Sequence, residues 1–282
     1  MRERDPVSRL GLIAGCGRLP SEAARAMRDS GIPVVALAFD GLTDASLAHD
    51  VDLIRWQKLG QLEAAADSLR SMQVERVLLV GSIPKQALFD GSGRVEPDRA
   101  AAALLAGVAL WEDGALFGAL ARWLEGRGFE IARQDLALAM LIAPEGPWSN
   151  RSLTPLEQAD LAFGRRALTA IGACGIGQCV VVKRGCVVAV EAVEGTDETI
   201  RRAGRLAGPG TTVVKGARPG QDRRFDLPAV GPETIAAMVE AGASCLAVEA
   251  TATLILDREQ TQDAAARAGI ACTAFGPDRI GP

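Results

Sequence analysis

At 282 residues, and at roughly 100 to 200 residues per domain, the chain reads as two domains of ordinary size. With 48% apolar, 23% charged and 4% aromatic residues, and a net charge of -4, the composition is that of a soluble globular protein. It excludes a fibrous or disordered chain and offers no general attraction to nucleic acid. His49 is the only histidine, which rules out histidine-paired metal centres and an H-E-x-x-H zinc helix. A Ser-His-Asp triad would have to use His49, whose polar surroundings read as a solvated loop.

The longest uncharged stretch, 167–182, is broken by Gly172, Gly175 and Gly177, so no membrane span is expected. The charged N-terminus has no apolar signal-peptide core, which points to the cytoplasm. Six cysteines lie mostly in apolar runs without a C-x-x-C pair. They are expected to be buried small hydrophobes rather than zinc ligands.

In chain order, residues 10–14 form an apolar run, followed by a glycine turn at 15–20 and an alanine-rich helix over 21–29 that Gly31 ends. A second run covers 33–39, a helix 61–72, a buried strand 74–80 and further helix 100–126. Alternating strands and helices predict a parallel sheet of the Rossmann-like α/β class. The Pro- and Gly-rich stretch around 144–155 reads as a linker. After it come a helix over 156–171, a hairpin of 179–183 and 186–191 turning at Arg184-Gly185, a helix over 197–206 and a strand over 211–215. A helix over 232–241 begins with proline, strands follow near Cys245 and Leu254, and a helix from Arg258 is expected to be capped by Asp257, with a last strand through Cys272. The second half is thus a mixed α/β domain.

Gly15-Cys-Gly-Arg-Leu-Pro20 stands between a strand and a helix, where free amides favour anions. This makes Gly15, Gly17, Leu19 and Pro20 candidates for substrate binding. Pro20 replaces the third glycine of a dinucleotide fingerprint, so a structural turn remains an equal reading and NAD binding a lesser one. Gly81-Ser82-Ile83-Pro84-Lys85 would open on the same crevice, which adds Ser82 and Lys85.

Glu191, Glu194 and Asp197 gather around Thr196 where a strand gives way to a helix. The cluster reads either as helix capping by Thr196 or Asp197 or as hard oxygen ligands for Mg²⁺ beside phosphate-binding amides. Within Gln221-Asp-Arg-Arg-Phe-Asp-Leu-Pro228, Arg224 is placed, with Lys215 upstream, to neutralise phosphate, and Asp226 to position metal or water. An ordinary surface ion-pair loop is the competing reading. Asp226, Glu194 and Asp197 are the catalytic candidates, and Asp226 with Glu191 the candidate metal ligands.

The motifs Gly11-Leu-Ile-Ala-Gly-Cys-Gly-Arg-Leu-Pro20, Ile176-Gly-Gln178, Val190-Glu-Ala-Val-Glu-Gly-Thr-Asp-Glu198, Gln221 to Pro228 and Leu254-Ile-Leu-Asp-Arg-Glu259 together resemble the UDP-2,3-diacylglucosamine pyrophosphatases of lipid A biosynthesis known as LpxI. The resemblance implies a nucleotide-side Rossmann-like domain over 1–143, a linker over 144–155 and a catalytic α/β domain over 156–282. It further implies a lipid-linked sugar nucleotide held between the domains, a homodimer and transient contact with the inner face of the membrane. The implied reaction is Mg²⁺-dependent hydrolysis to UMP and 2,3-diacylglucosamine 1-phosphate. The family's essential aspartate falls on Asp226, its sugar-phosphate contacts on Thr196 and Lys215, its nucleotide contacts on Gly15 and Gly17, and a further binding position on Gln178. Cys16 replaces a family glycine, and Glu249-Ala-Thr-Ala-Thr253 stands where the family has Glu-Ala-Gly-Lys-Thr. The alternative in another class is a protein that binds the sugar nucleotide or lipid without turning it over.

Overall fold

The computed structural model describes residues 9–83, 96–108 and 113–276. The chain divides into two compact units, one of Met1–Met140 with Asp222–Asp226, the other of Leu141–Gln221 with Leu227–Pro282.

In the first unit, β1 (Arg9–Ala14), β2 (Val34–Phe39), β3 (Leu53–Gln57), β4 (Val74–Val80) and β5 (Glu130–Ile131) form a sheet in the order β3-β2-β1-β4-β5. Every pairing is parallel, with Leu12 opposite Ala36 on one side and Leu78 on the other. Strand β2 is a continuous apolar run, and β1 and β4 are apolar beyond Arg9 and Arg76, because both faces are covered there, as parallel sheets require. Helices α1 (Leu19–Asp29), α2 (Leu62–Ser71), α3 (Arg99–Ala106), α4 (Asp113–Glu125) and α5 (Gln134–Ala137) complete the unit. Leu37, Leu69 and Leu79 are fully buried in its core, each contributing about 2 kcal/mol.

Two expectations needed correction here. Strand β3, with exposed Arg55 and Trp56, lies at the sheet edge and was not anticipated. The helical stretch 100–126 is two helices, the first ended by Gly107, whose N–H returns to Ala103 O.

In the second unit, β6 (Gly146–Pro147), β7 (Cys179–Lys183), β8 (Cys186–Val190), β9 (Thr212–Lys215), β11 (Cys245–Glu249) and β13 (Ala271–Phe275) form a mixed sheet in the order β6-β13-β11-β9-β7-β8. Strands β9, β11 and β13 run parallel, β7 is antiparallel to both β8 and β9, and β6 is antiparallel to β13. A separate pair joins β10 (Ala229–Val230) to β12 (Leu254–Ile255). The helices are α6 (Pro155–Ala173), α7 (Thr196–Ala207), α8 (Pro232–Ala241) and α9 (Arg258–Arg267).

Local chemistry explains several of these boundaries. A capping box of Thr154 and Glu157 starts α6. At the β7–β8 hairpin, Arg184 and Gly185 have φ of 50° and 71°, the handedness a tight hairpin demands. Both amides donate to the buried Asp160 carboxylate, at 3.0 and 2.6 Å. Within the stretch 144–155, β6 pairs with β13 and Trp148 is buried, so it is built into the second unit. Asp257 does not cap α9 with its side chain and instead takes a left-handed backbone, φ 42°.

The cysteines split. Cys179, Cys245 and Cys272 are buried, and burial pushes the Cys272 thiol up to about 12. Cys174 and Cys186 are exposed and Cys16 is half-buried, contrary to the expectation for all six. Among the described residues no helix is long and apolar enough to cross a membrane.

Candidate functional site

In the first unit the chain order reverses between β1 and β4, the place where open parallel sheets present a crevice at their carboxyl ends. The loops leaving these strands are bonded to each other. Gly15 N–H donates to Val80 O at 2.8 Å, Cys16 N–H to Ser82 O at 2.8 Å, and Ser82 N–H to Cys16 O at 3.1 Å. The Cys16 Sγ and Ser82 Oγ are 3.2 Å apart. A Cβ on Gly15 would lie 2.5 Å from Ser82 O, so only glycine lets the loops touch. Leu19 and Pro20 open α1, where the missing proline N–H costs no helical bond. Thus Gly15, Gly17, Leu19, Pro20 and Ser82 come together at one anion-favouring corner; Lys85 lies outside the described residues. Beside it is an apolar cavity of about 100 Å³, lined by Ile13, Leu37, Phe39, Leu79, Phe117 and Trp123 among others and also reached by Gly15 and Gly81.

The segment Asp222–Asp226 belongs to this unit. Phe225 is 2% exposed, and its ring stacks on Phe117 with centroids 5.7 Å apart. Arg223 O accepts from Gln134 N–H at 3.0 Å. The Arg224 guanidinium is engaged by Asp222 at 2.7 Å and Glu125 at 2.6 Å, an ion-pair arrangement rather than a charge held toward an open site. Asp226 is half-buried and has φ +61°. Aspartate tolerates this left-handed conformation better than most residues, and such backbone is concentrated at functional sites.

In the second unit, Lys215 ends β9 with only 8% exposure. Its Nζ donates to Thr196 Oγ1 and to Ala229 O, both at 2.8 Å. Thr196 Oγ1 donates onward to Glu191 Oε1 at 2.7 Å, and Glu191 Oε2 accepts Gln178 N–H at 3.1 Å. Gly195, φ +82°, precedes α7, and no side chain caps it. Thr196 and Asp197 therefore lie inside the first turn instead of capping it. That turn brings the positive end of the helix dipole beside Lys215. Burial raises the pKa of Asp197 against the pull of Lys215 and Arg201. Glu194 is drawn the other way: its own backbone N–H and Arg202 lower its pKa, and its carboxylate is bonded to Arg202 and Thr199.

Gln178 ties these parts together. Its carbonyl accepts Gly216 N–H at 3.1 Å, and its Nε2 donates to Gln221 Oε1 at 3.3 Å. Glu249, at the end of β11, accepts Ala217 N–H at 2.8 Å. Neither Gln221 nor Glu249 stands among the sequence candidates above; the signal for Glu249 is an acid closing an apolar strand run.

Among the described residues no three His, Cys, Asp or Glu side chains gather as a ready-made metal site. Both Glu191 oxygens already accept protein hydrogen bonds. A metal that needs an all-protein cage therefore finds no ready-made ligand set among the described residues.

Residues 9–141 match the LpxI N-terminal domain and residues 144–273 the LpxI C-terminal domain. The chain belongs to the LpxI family. UDP-2,3-diacylglucosamine pyrophosphatase LpxI of Caulobacter vibrioides is 30% identical over 286 residues, spanning 95% of this chain and 98% of that protein. Likeness to solved structures is far weaker. The biotin carboxylase domain of a thermophilic 2-oxoglutarate carboxylase shares 15% identity at a TM-score of 0.28, with 61% of this chain and 34% of that one covered. Glycinamide-RNase-transformylase T from Mycobacterium tuberculosis shares 16% at 0.26, with 65% and 44% covered. This chain thus spans less than half the length of either. Segment Asp222–Asp226 lies in sequence within the LpxI C-terminal domain yet packs with the first unit.

Proposed function

We propose that this LpxI-family protein is a hydrolase that cleaves the pyrophosphate of UDP-2,3-diacylglucosamine in lipid A biosynthesis, releasing UMP and 2,3-diacylglucosamine 1-phosphate with the help of Mg²⁺. The observation that carries the reading is the Lys215–Thr196–Glu191 chain at the start of α7, in a protein whose relative of near-equal length is named for this activity.

An ammonium has three donors, and Lys215 directs two of them to Thr196 and Ala229. The third, with the α7 amides, binds the sugar-phosphate end of the substrate. Glu191 accepts the Thr196 hydroxyl's hydrogen bond and so fixes its orientation. Within the first unit, the glycine corner of Gly15, Gly17 and Ser82 offers backbone amides suited to the nucleotide phosphate. Asp226, held between buried Phe225 and Leu227, orients the attacking water and is the carboxylate that would hold the metal. When bound, Mg²⁺ neutralises charge on the pyrophosphate oxygens. The same reading puts the enzyme in the cytoplasm at the inner face of the membrane, where a diacylated substrate partitions.

The test is incubation of the purified protein with UDP-2,3-diacylglucosamine. UMP should appear, stop in EDTA and resume with added Mg²⁺. Undiminished release in excess chelator removes the metal from the reaction, and tight binding without any UMP leaves a binding protein.

A further inference from the structure

The turn after β9 leads from Lys215 into Asp222–Asp226, and side-chain acceptors hold its backbone. Ala217 N–H donates to Glu249 Oε2 at 2.8 Å and Arg218 N–H to Gln221 Oε1 at 2.9 Å, while Gly216 N–H goes to the carbonyl of Gln178 at 3.1 Å. Of these acceptors only Glu249 is a charged side chain reaching across from a neighbouring strand. In the β9–β11 pairing Val248 stands opposite Lys215, so Glu249 projects just beyond the lysine at the carboxyl end of the sheet. Gly216 makes room for it. A Cβ there would lie 2.7 Å from Glu249 Oε2 and 2.9 Å from Glu249 Cβ, closer than side chains approach without displacement.

We propose that Glu249 is a positioning residue for the reaction, a role that rests on the pyrophosphatase reading above. Its carboxylate, seated against Gly216, anchors the Ala217 amide. This fixes the exit of β9, and with it the ammonium of Lys215 against Thr196 and the start of the run toward Asp226. A charge-assisted bond to a backbone amide is short and directional, and a site of this kind must be held to within about 0.5 Å of its productive geometry. Glu249 needs no contact with substrate to matter. A purely architectural strand end would instead change melting behaviour while leaving turnover per folded molecule intact.

The experiment compares full-length parent, Glu249→Ala, Glu249→Gln and Gly216→Ala in UMP release, thermal unfolding and amide hydrogen exchange over 215–221. Glu249→Ala should lose kcat by about tenfold or more with KM within about threefold. Glu249→Gln, which keeps an oxygen acceptor, should return to within about threefold of the parent kcat. Gly216→Ala should reproduce the loss by pushing the carboxylate aside, and exchange at Ala217 should quicken in both damaging variants. Should Glu249→Ala not fold, the glutamine and Gly216→Ala variants decide the matter. Turnover in Glu249→Ala within about twofold of the parent, a glutamine variant no better than the alanine one, or unchanged exchange at Ala217 overturns the role. A parent that releases no UMP is a different failure: it overturns the pyrophosphatase reading itself.

Discussion

The ammonium of Lys215 lies 2.8 Å from the hydroxyl of Thr196, the first residue of α7. A buried lysine is costly unless its charge is answered, and here the Thr196 hydroxyl and the Ala229 carbonyl accept from it while the Asp197 carboxyl feels its charge, with little room for water. Lys215→Met keeps most of the apolar stem and removes the charge. We expect kcat/KM for UMP release to fall by about a hundredfold or more, roughly 3 kcal/mol of lost transition-state binding. Kinetics and thermal unfolding on one preparation separate this from simple destabilisation, and a kcat/KM within severalfold of the parent would remove Lys215 from the phosphate site.

Asp226 offers a cleaner separation of stability from chemistry. Its φ of +61° is a conformation glycine adopts freely. Asp226→Gly should therefore stay within about 1 kcal/mol of the parent in unfolding free energy, while kcat drops by about a hundredfold or more. Asp226→Asn should behave alike in kcat. If Asp226→Gly unfolds, the side chain is structural; if it turns over normally, the residue is not catalytic.

Acid sensitivity should come from Glu157. Burial alone would raise its pKa, yet Arg151, the Thr154 backbone N–H, Ser244 and the Thr154 hydroxyl outweigh that and hold it at about 2, against an ordinary 4.5. A carboxyl depressed in the folded state adds stability above its unfolded value and loses it as pH falls through the folded one. The window is therefore pH 4.5 down to about 2, and the amount about 3 kcal/mol. Urea unfolding across that range should show the parent converging on Glu157→Gln. Parallel curves would refute the assignment.

Thr251 has φ +63°, an unfavourable setting for a β-branched side chain, at a position where the LpxI resemblance has glycine. Left-handed strain of roughly 1–2 kcal/mol exceeds the extra unfolded-state entropy glycine brings, so Thr251→Gly should raise stability by about 0.5–1 kcal/mol. Calorimetry checks it; a lower melting temperature would mean that Thr251's own contacts outweigh the strain.

Elements with an unambiguous local signal were legible before any coordinates. Strand β2 is a continuous apolar run, α8 begins at a proline, and the Arg184-Gly185 pair marks its hairpin. Strand β3 was not legible, because a half-covered edge accepts Arg55 and Trp56 and so loses the apolar signature. At the site, Lys215, Thr196 and Gln178 were found through their motifs, but the roles of their neighbours were not. Thr196 and Asp197 suggested a cap, whereas Gly195 precedes the helix and leaves the threonine hydroxyl to Glu191. Arg224 looked available for phosphate, and only the fold brings it to Glu125, far away in sequence. An acid closing a strand, such as Glu249, looks the same in sequence whether it meets solvent or, as here, an amide of the turn that follows the neighbouring strand.

Phe225 has a consequence for the order of synthesis. Its ring fills part of the first unit's core, yet it is made long after Met140, where the rest of that unit ends. At 5 to 20 residues per second the ribosome needs roughly 4 to 17 s to cover the interval. Throughout that time the nascent first unit lacks the aromatic plug beside Phe117 and exposes apolar surface that the finished protein covers. A translational pause downstream of residue 140, or a fragment ended there, should therefore yield a chaperone-dependent, aggregation-prone species even though nearly all of the unit's own strands and helices are already present.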